Sequence, residues 1–244
     1  MISAIALPGV PDVRAGDDLA ALLAEAAGRA GGFRPGDVLC VAHKVISKAE
    51  GRVMQLADVT PGDRARALAA QWDKDARKLQ VVLDEAAEVL RADEGRLICR
   101  TRHGFVCANA GVDASNAGGE DLVVLLPLDP DASARALRAA LGVAVVVTDS
   151  FGRPWRVGQA EIAIGCAGLE PIDDWRGRTD AHGRELHATL VAVADQAASA
   201  ADLARGKDSA EPAVIVRGLE RFVVDEDGPG AAALVRPREQ DLFG

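Results

Sequence analysis

Three short runs limit what this chain can fold into. Val38-Leu39-Cys40-Val41-Ala42, Val143-Ala144-Val145-Val146-Val147-Thr148 and Ala213-Val214-Ile215-Val216 are apolar almost without interruption. Each is too short for an ordinary helix, rich in β-branched residues, and bounded by charge, glycine or proline, so each is expected to be a buried strand. Apolar residues make up 49% of the 244, yet aromatics are only 3% and tyrosine is absent. The core must therefore be built from Ala, Val, Leu and Ile.

Further strands are expected over residues 2–7, 97–101, 105–108 and 122–126, with His103-Gly104 turning the middle pair. Helices are expected from about residue 18, capped by Asp17, with Leu19, Leu22, Leu23 and Ala26 at helical spacing. Others should follow Thr60-Pro61, cover 78–90, run from Asp129-Pro130-Asp131 to about 141, and occupy 185–205 as a long Ala-rich helix. Strands and helices do not alternate strictly. An α+β fold with mixed, largely antiparallel sheets is expected rather than a doubly wound sheet. No linker divides the chain, so residues 1–244 are expected as one domain, or as two interlocked subdomains without a legible boundary. Residues 149–189 are dense in Gly, Arg and Asp and read as a functional or interfacial loop region. The stretch from about 223 to 244 reads as a less ordered tail.

Lys and Arg number 28 against 37 Asp and Glu, a net charge of -9. That balance argues against a nucleic-acid partner, and an anionic ligand would need a local cationic pocket. No run approaches the ~20 apolar residues that span a bilayer. Residues 1–8 lack the basic region and long apolar run of a signal peptide, so a cytoplasmic protein with no membrane partner is expected. Cys40, Cys99, Cys107 and Cys166 show no C-x-x-C spacing and read as reduced, mostly buried thiols.

Asp149 ends the apolar run 143–148 and is followed by Ser150. A strand-end carboxylate with an adjacent hydroxyl offers hard oxygens to a divalent cation, although a turn or cap aspartate looks the same in sequence. Asp113 lies in Ala108-Asn109-Ala110-Gly111-Val112-Asp113-Ala114-Ser115-Asn116, whose small and polar residues suit either a metal–phosphate site or an ordinary Asx-rich loop. Together the two aspartates could hold Mg²⁺ or Mn²⁺ against a triphosphate. Lys44 and Lys48, four apart, would share one helical face, to meet phosphate or merely solvent. Arg153, Arg156 and Arg176, with Arg178, could fork onto an anionic substrate or form salt bridges within the loop or across a dimer. The P-loop, the G-x-G-x-x-G fingerprint, the G-x-S-x-G elbow and H-E-x-x-H are all absent from the sequence. His182 and His187 read as structural or solvent-facing, and Trp155 and Trp175 as packing residues or ring-stacking platforms.

Several segments resemble the coenzyme F420:L-glutamate ligase family. They are Leu7-Pro8-Gly9-Val10; Val41-Ala42-His43-Lys44-Val45-Ile46-Ser47-Lys48-Ala49-Glu50-Gly51-Arg52; His103-Gly104 through Asn116; and Thr148-Asp149-Ser150-Phe151-Gly152-Arg153-Pro154-Trp155-Arg156-Val157-Gly158-Gln159. Later matches continue in order to Val216-Arg217-Gly218, so the resemblance covers about residues 4–222. It implies a GTP-dependent ligase that adds L-glutamate to the lactyl carboxylate of F420-0 through an acyl phosphate, then adds further γ-linked glutamates. It also implies that Leu7, Pro8, Gly9, Val10, His43, Lys44, Lys48 and Asn116 contact GTP, with Arg205, Gly206, Lys207, Asp208, Ser209, Ala210 and Glu211 bordering the nucleotide. Asp113 and Asp149 would hold one divalent metal and act as the catalytic carboxylates, and Ser150 would help hold a second. K⁺ as activator and an intertwined homodimer of two-subdomain chains are further implications. His43 stands where the family pattern leads one to expect a small hydroxyl residue, and Lys207 where it leads one to expect an amide-bearing metal ligand. A metal-dependent phosphohydrolase and a non-catalytic GTP- or F420-binding homologue are the competing readings.

Overall fold

The structure, a computed structural model, describes residues 1–241. Its centre is a five-stranded sheet formed by β1 (Ser3–Ala6), β2 (Val38–Ala42), β8 (Ala144–Arg153), β9 (Arg156–Ala167) and β12 (Ala213–Arg217), in the order β1-β12-β2-β8-β9. All neighbours pair antiparallel except β2 and β8, which are parallel. The uninterrupted apolar runs are explained by burial on both faces, since successive side chains of a strand point to opposite sides. Leu39, Val41, Val145, Val147 and Ile215 face a core completed by α1 (Leu19–Arg29) and α5 (Pro130–Leu141). Val38, Cys40, Val146, Val214 and Val216 face α6 (Val193–Asp202), whose Ala194, Ala197, Ala198 and Ala201 let it lie close to the sheet.

The remaining elements build smaller layers. α2 (His43–Ala49) follows β2 directly, and β3 (Val53–Gln55) pairs with β7 (Leu122–Val124). α3 (Asp63–Trp72) and α4 (Ala76–Glu85) pack on β4 (Ala86–Asp93), β5 (Arg96–Thr101) and β6 (Val106–Ala108) around Ala65, Leu79, Val82, Leu97 and Cys99. β10 (Ile172–Asp174) pairs with β11 (Leu190–Ala192). The α+β fold with largely antiparallel sheets is as expected. All four cysteines are buried and free. Among the described residues, no helix is long and apolar enough to cross a membrane.

Several local expectations need correction. The helix expected over 78–90 stops at Glu85, and 86–93 is a strand, because pairing with β5 outweighs the helical preference of an Ala- and Glu-rich segment. The stretch 149–189 is loop only in part: most of 175–189 is irregular, but β8 and β9 form a long hairpin with Arg153 opposite Arg156. Its outer half is exposed on both faces and so carries no apolar alternation. The helix expected over 185–205 is only Val193–Asp202. The α1 cap is Asp18, which accepts from the Ala21 N–H at 3.0 Å, while Asp17 accepts from Arg14. α3 begins after Gly62, two residues beyond Pro61, and Gln80 Oε1 takes the Gly62 N–H.

Beyond Phe222 the described chain makes one isolated bridge, Val223 with Leu169, and short 3₁₀ turns at Ala231–Leu234 and Arg238–Gln240. Arg138 contacts Asp227, and Arg100 contacts Asp241. Asp131, at the start of α5, accepts from the N–H groups of both Cys166 (2.8 Å) and Ala231 (2.7 Å), so one carboxylate ties helix, sheet and C-terminal segment together. Residues 242–244 of the expected tail lie outside the described residues.

At this junction Gly165 lets β9 approach α5. A Cβ on Gly165 would stand 2.3 Å from the Pro130 carbonyl oxygen. Gly165→Ala should therefore destabilise the fold by about 1–3 kcal/mol through overpacking, read as a lower urea midpoint. An unchanged midpoint would contradict this close approach.

Candidate functional site

Strand register gathers the site. Parallel pairing sets Ala42 beside Thr148, so His43-Lys44 and Asp149-Ser150 leave the sheet at the same edge. Antiparallel β12 begins there, with Ala213 opposite Val41, and β1 ends there, with Ala6 opposite Val214. A cleft of about 770 Å³ opens at this edge. Its walls include Val10, His43, Lys44, Lys48, Asp113, Asn116, Asp149, Ser150, Arg205, Gly206, Lys207, Asp208, Ala210 and Glu211. The two aspartates singled out from sequence thus share one cavity, although 36 positions separate them in the chain.

Asp113 is fixed through its backbone, which exchanges both hydrogen bonds with Val124. Its Oδ2 lies 2.7 Å from Lys44 Nζ, and its Oδ1 accepts the Ser115 N–H at 2.6 Å. Burial pushes the carboxyl pKa up, but Lys44 and Ser115 together outweigh burial and hold it below the usual range. Lys44 also donates to Ser115 Oγ. Lys48, one turn later on α2, pairs with Asp12 at 2.8 Å.

Asp149 Oδ1 accepts the Ser150 N–H at 2.8 Å and lies 3.4 Å from His43 Nε2. His43 is buried, and its Nδ1 lies 3.3 Å from Ser47 Oγ. Its Nε2 makes no hydrogen bond among the described residues, and the ring edge lies against Asp149.

Glu161 was not among the expected site residues, yet it lies at the centre of the arrangement. It is opposite Ser150 in the β8–β9 hairpin and only 4% exposed. Ser150 Oγ donates to its Oε1 at 2.6 Å; Arg205 Nη2 lies 3.3 Å from Oε2, and Lys207 Nζ 3.3 Å from Oε1. Burial raises its carboxyl pKa, but Ser150, Thr148, Arg205 and Lys207 overcome that and keep it below the ordinary 4.5. The sequence does hold a signal for it, a lone carboxylate just before the apolar run 162–167, but it becomes informative only once the hairpin register is known.

Among the described residues no three His, Cys, Asp or Glu side chains converge into a closed metal cage. The donors present fit an open site: the Asp113 and Asp149 carboxylates are hard oxygen ligands facing a cavity large enough for a polyphosphate. Mg²⁺ and Mn²⁺ sites commonly use one or two carboxylates with water and substrate phosphates completing the shell.

Other expected residues lie differently. Leu7 is wholly buried, with its N–H on Ala213 O, and the Pro8 and Gly9 carbonyls accept from Arg29; of that run only Val10 lines the cleft. Ser209 Oγ turns back to the Gly206 carbonyl. Arg153 donates to Val157 O and Gly158 O within its hairpin, Arg156 is exposed near the hairpin tip, and Arg176 chelates Asp174. These three arginines lie outside the cleft lining.

With this geometry in place, residues 9–218 match the family model described as F420-0:Gamma-glutamyl ligase. The chain belongs to that family. The coenzyme F420:L-glutamate ligase of Methanothermobacter thermautotrophicus is 43% identical over 99% of this chain and 98% of its own length. That of Natronomonas pharaonis is 46% identical over 99% and 94%, and that of Halobacterium salinarum is 47% identical over 92% and 89%. The match to the F420-0:gamma-glutamyl ligase model spans every cleft residue named above.

Because the Glu161 pKa is depressed on folding, its contribution to stability is present above 4.5 and is lost as pH falls through the lower folded value. Glu161→Gln should therefore unfold with a shallower dependence on pH in the acid range. At pH 7 it should be less stable by about 3–5 kcal/mol, since Arg205 loses a buried partner. A variant that follows the wild-type acid profile would remove Glu161 from this charge network.

Proposed function

We propose that this family member is a GTP-dependent ligase joining L-glutamate to the lactyl carboxylate of F420-0, and then extending the product through γ-linked glutamates. One observation carries the reading. In a protein of net charge -9, Lys44, Lys48, Arg205 and Lys207 converge with Asp113 and Asp149 on a single cleft. A local cationic wall in an acidic protein suits a polyphosphate, and the carboxylates suit the divalent ion, Mg²⁺ or Mn²⁺, that accompanies one.

The chemistry needs no nucleophilic side chain. A carboxylate oxygen of F420-0 attacks the γ-phosphorus of GTP, the β–γ bridging oxygen leaves with its electron pair as GDP, and an acyl phosphate forms. The α-amine of glutamate, having lost its proton, attacks the acyl carbon and inorganic phosphate departs. The protein's part is alignment and charge stabilisation. Lys44 and Lys48 present ammonium groups to the cleft from one face of α2. Arg205, held by the Pro212 carbonyl at 2.8 Å and by Glu161, fixes the 205–211 loop against the β8 edge. A divalent ion between Asp113 and Asp149 would supply charge neutralisation at the transferring phosphoryl group.

The same reading takes the chain to act in the cytoplasm as a homodimer, with K⁺ as activator. Trp155 and Val157, 81% and 95% exposed at the β8–β9 tip, fit a surface covered by a second copy.

Incubation with F420-0, GTP, Mn²⁺ and L-glutamate should give products heavier by one or more glutamyl units in mass spectrometry. Asp149→Ala should slow their formation by about 10²–10³-fold, the scale of removing one electrostatic stabiliser of a transition state. GTP hydrolysis without any amide product would replace the ligase with a phosphohydrolase, and wild-type turnover in Asp149→Ala would reject the metal assignment.

A further inference from the structure

Lys207 stands in the loop after α6, with its side chain 67% exposed and its ammonium turned into the cleft. Nζ lies 2.8 Å from Ser150 Oγ, 3.0 Å from Asp202 Oδ1 and 3.3 Å from Glu161 Oε1. An ammonium has three N–H donors, and each has an oxygen here. The three oxygens come from separate elements, β8, α6 and β9, and are the hard donors a divalent cation would take. Ser150 Oγ gives its own proton to Glu161 Oε1, so its lone pairs remain for Lys207.

Charge works against adding a metal ion to the same oxygens. Glu161 Oε1 is shared by Ser150 and Lys207, and Oε2 faces the Arg205 guanidinium. A divalent ion seated on Ser150 and Glu161 would lie within a few ångströms of two fixed positive charges. On the Asp113–Asp149 side Lys44 engages one carboxylate, Asp113, while Asp149 has the His43 ring and the Ser150 N–H beside it and, among the described residues, no ammonium or guanidinium within 4.0 Å.

We infer that the Lys207 ammonium is a built-in cation occupying the Ser150–Glu161–Asp202 position, so that the cleft takes one free divalent ion per chain, on Asp149 and Asp113. Lys207 is in this sense a positioning residue: it holds Ser150 and Glu161 in place and carries a positive charge to the rim, where a polyphosphate would lie. The inference rests on the metal–nucleotide reading given above, and it concerns the number of ions rather than their presence.

Electron paramagnetic resonance with Mn²⁺ and a non-hydrolysable guanosine triphosphate analogue tests it. The wild-type chain should bind one Mn²⁺ with an uncoupled six-line spectrum. Lys207→Gln, which exchanges the ammonium for a neutral amide, should bind two, with broadening from spin coupling. Lys207→Arg should keep the count at one. Two bound ions in the wild type would overturn the inference while leaving the metal–nucleotide reading intact, as would a single ion in Lys207→Gln with an unchanged thermal melt. No bound Mn²⁺ in any variant, or an unchanged count in Asp149→Ala, would overturn the metal reading and this inference with it.

Discussion

In the parallel pairing of β2 with β8, Val38 faces Ala144 and Ala42 faces Thr148, so the two strands leave the sheet at the same edge. Had they paired antiparallel, Lys44 and Asp149 would emerge at opposite ends, some five residues of strand apart, about 17 Å. The two antiparallel neighbours on the other side, β12 and β1, add the start of one segment and the end of another to that edge. The cleft is thus a consequence of strand direction. Side chains that no local motif connects become neighbours because the backbone ladder leaves their carriers nowhere else to go, as ligand sites in open sheets commonly arise where strand order or direction changes.

That ladder tolerates a polar edge because its interior is wholly apolar on both faces. Thiols that could compete chemically are buried, Cys40 and Cys166 in this sheet and Cys107 in β6: burial pushes all three up to about 12, which keeps them protonated near neutrality. Three carboxylates at the edge are paired with cations. Asp113 has Lys44, Asp12 has Lys48, and Glu161 has Arg205 and Lys207. The pairing keeps carboxylates ionised despite partial burial and keeps long side chains pointing into the cavity, a state that costs little further reorganisation when an anion arrives. It also reconciles an acidic protein with an anionic ligand, since the cationic face is local and backed by carboxylates one layer behind it.

The central strands were legible because burial on two faces leaves a continuous apolar run, a signal that survives without tertiary information. So was α5, where Asp129 accepts the Ala132 N–H and Pro130 opens the first turn. β4 and β11 were not legible, because their strand character comes from the partner and not from their own residues: Ala86-Ala87-Glu88 favours a helix until β5 claims its hydrogen bonds. The Asp113, Asp149 and Ser150 site could be read from residue types at strand ends and in a small-residue loop, and the family resemblance drew in the cationic loops. Glu161 was hidden for a different reason. Its position opposite Ser150 depends on a hairpin whose outer half lacks alternation, and on a register that shifts between Val147 and Thr148 and again between Gly152 and Arg153.

Those register shifts bear on how the site is held. A bulge in a β-ribbon bends the strand and re-aims the side chains beyond it. In this hairpin one such irregularity falls on β9, where Ile164 is the extra residue between the Val147–Gly165 and Thr148–Ala163 pairs, level with the point where β8 passes from the two-sided core to the cleft. Val147 is still in the core, Thr148 Oγ1 already receives Arg205, and Asp149 and Ser150 face the cavity and Glu161. The transition from packing residue to working residue therefore takes one or two positions, and the buried charge of Glu161 stabilises the strand just past the bend. Removing Glu161 or its cations would loosen the same three residues that the proposed chemistry needs held still, so the stability of the hairpin and the geometry of the cleft rest on one set of contacts.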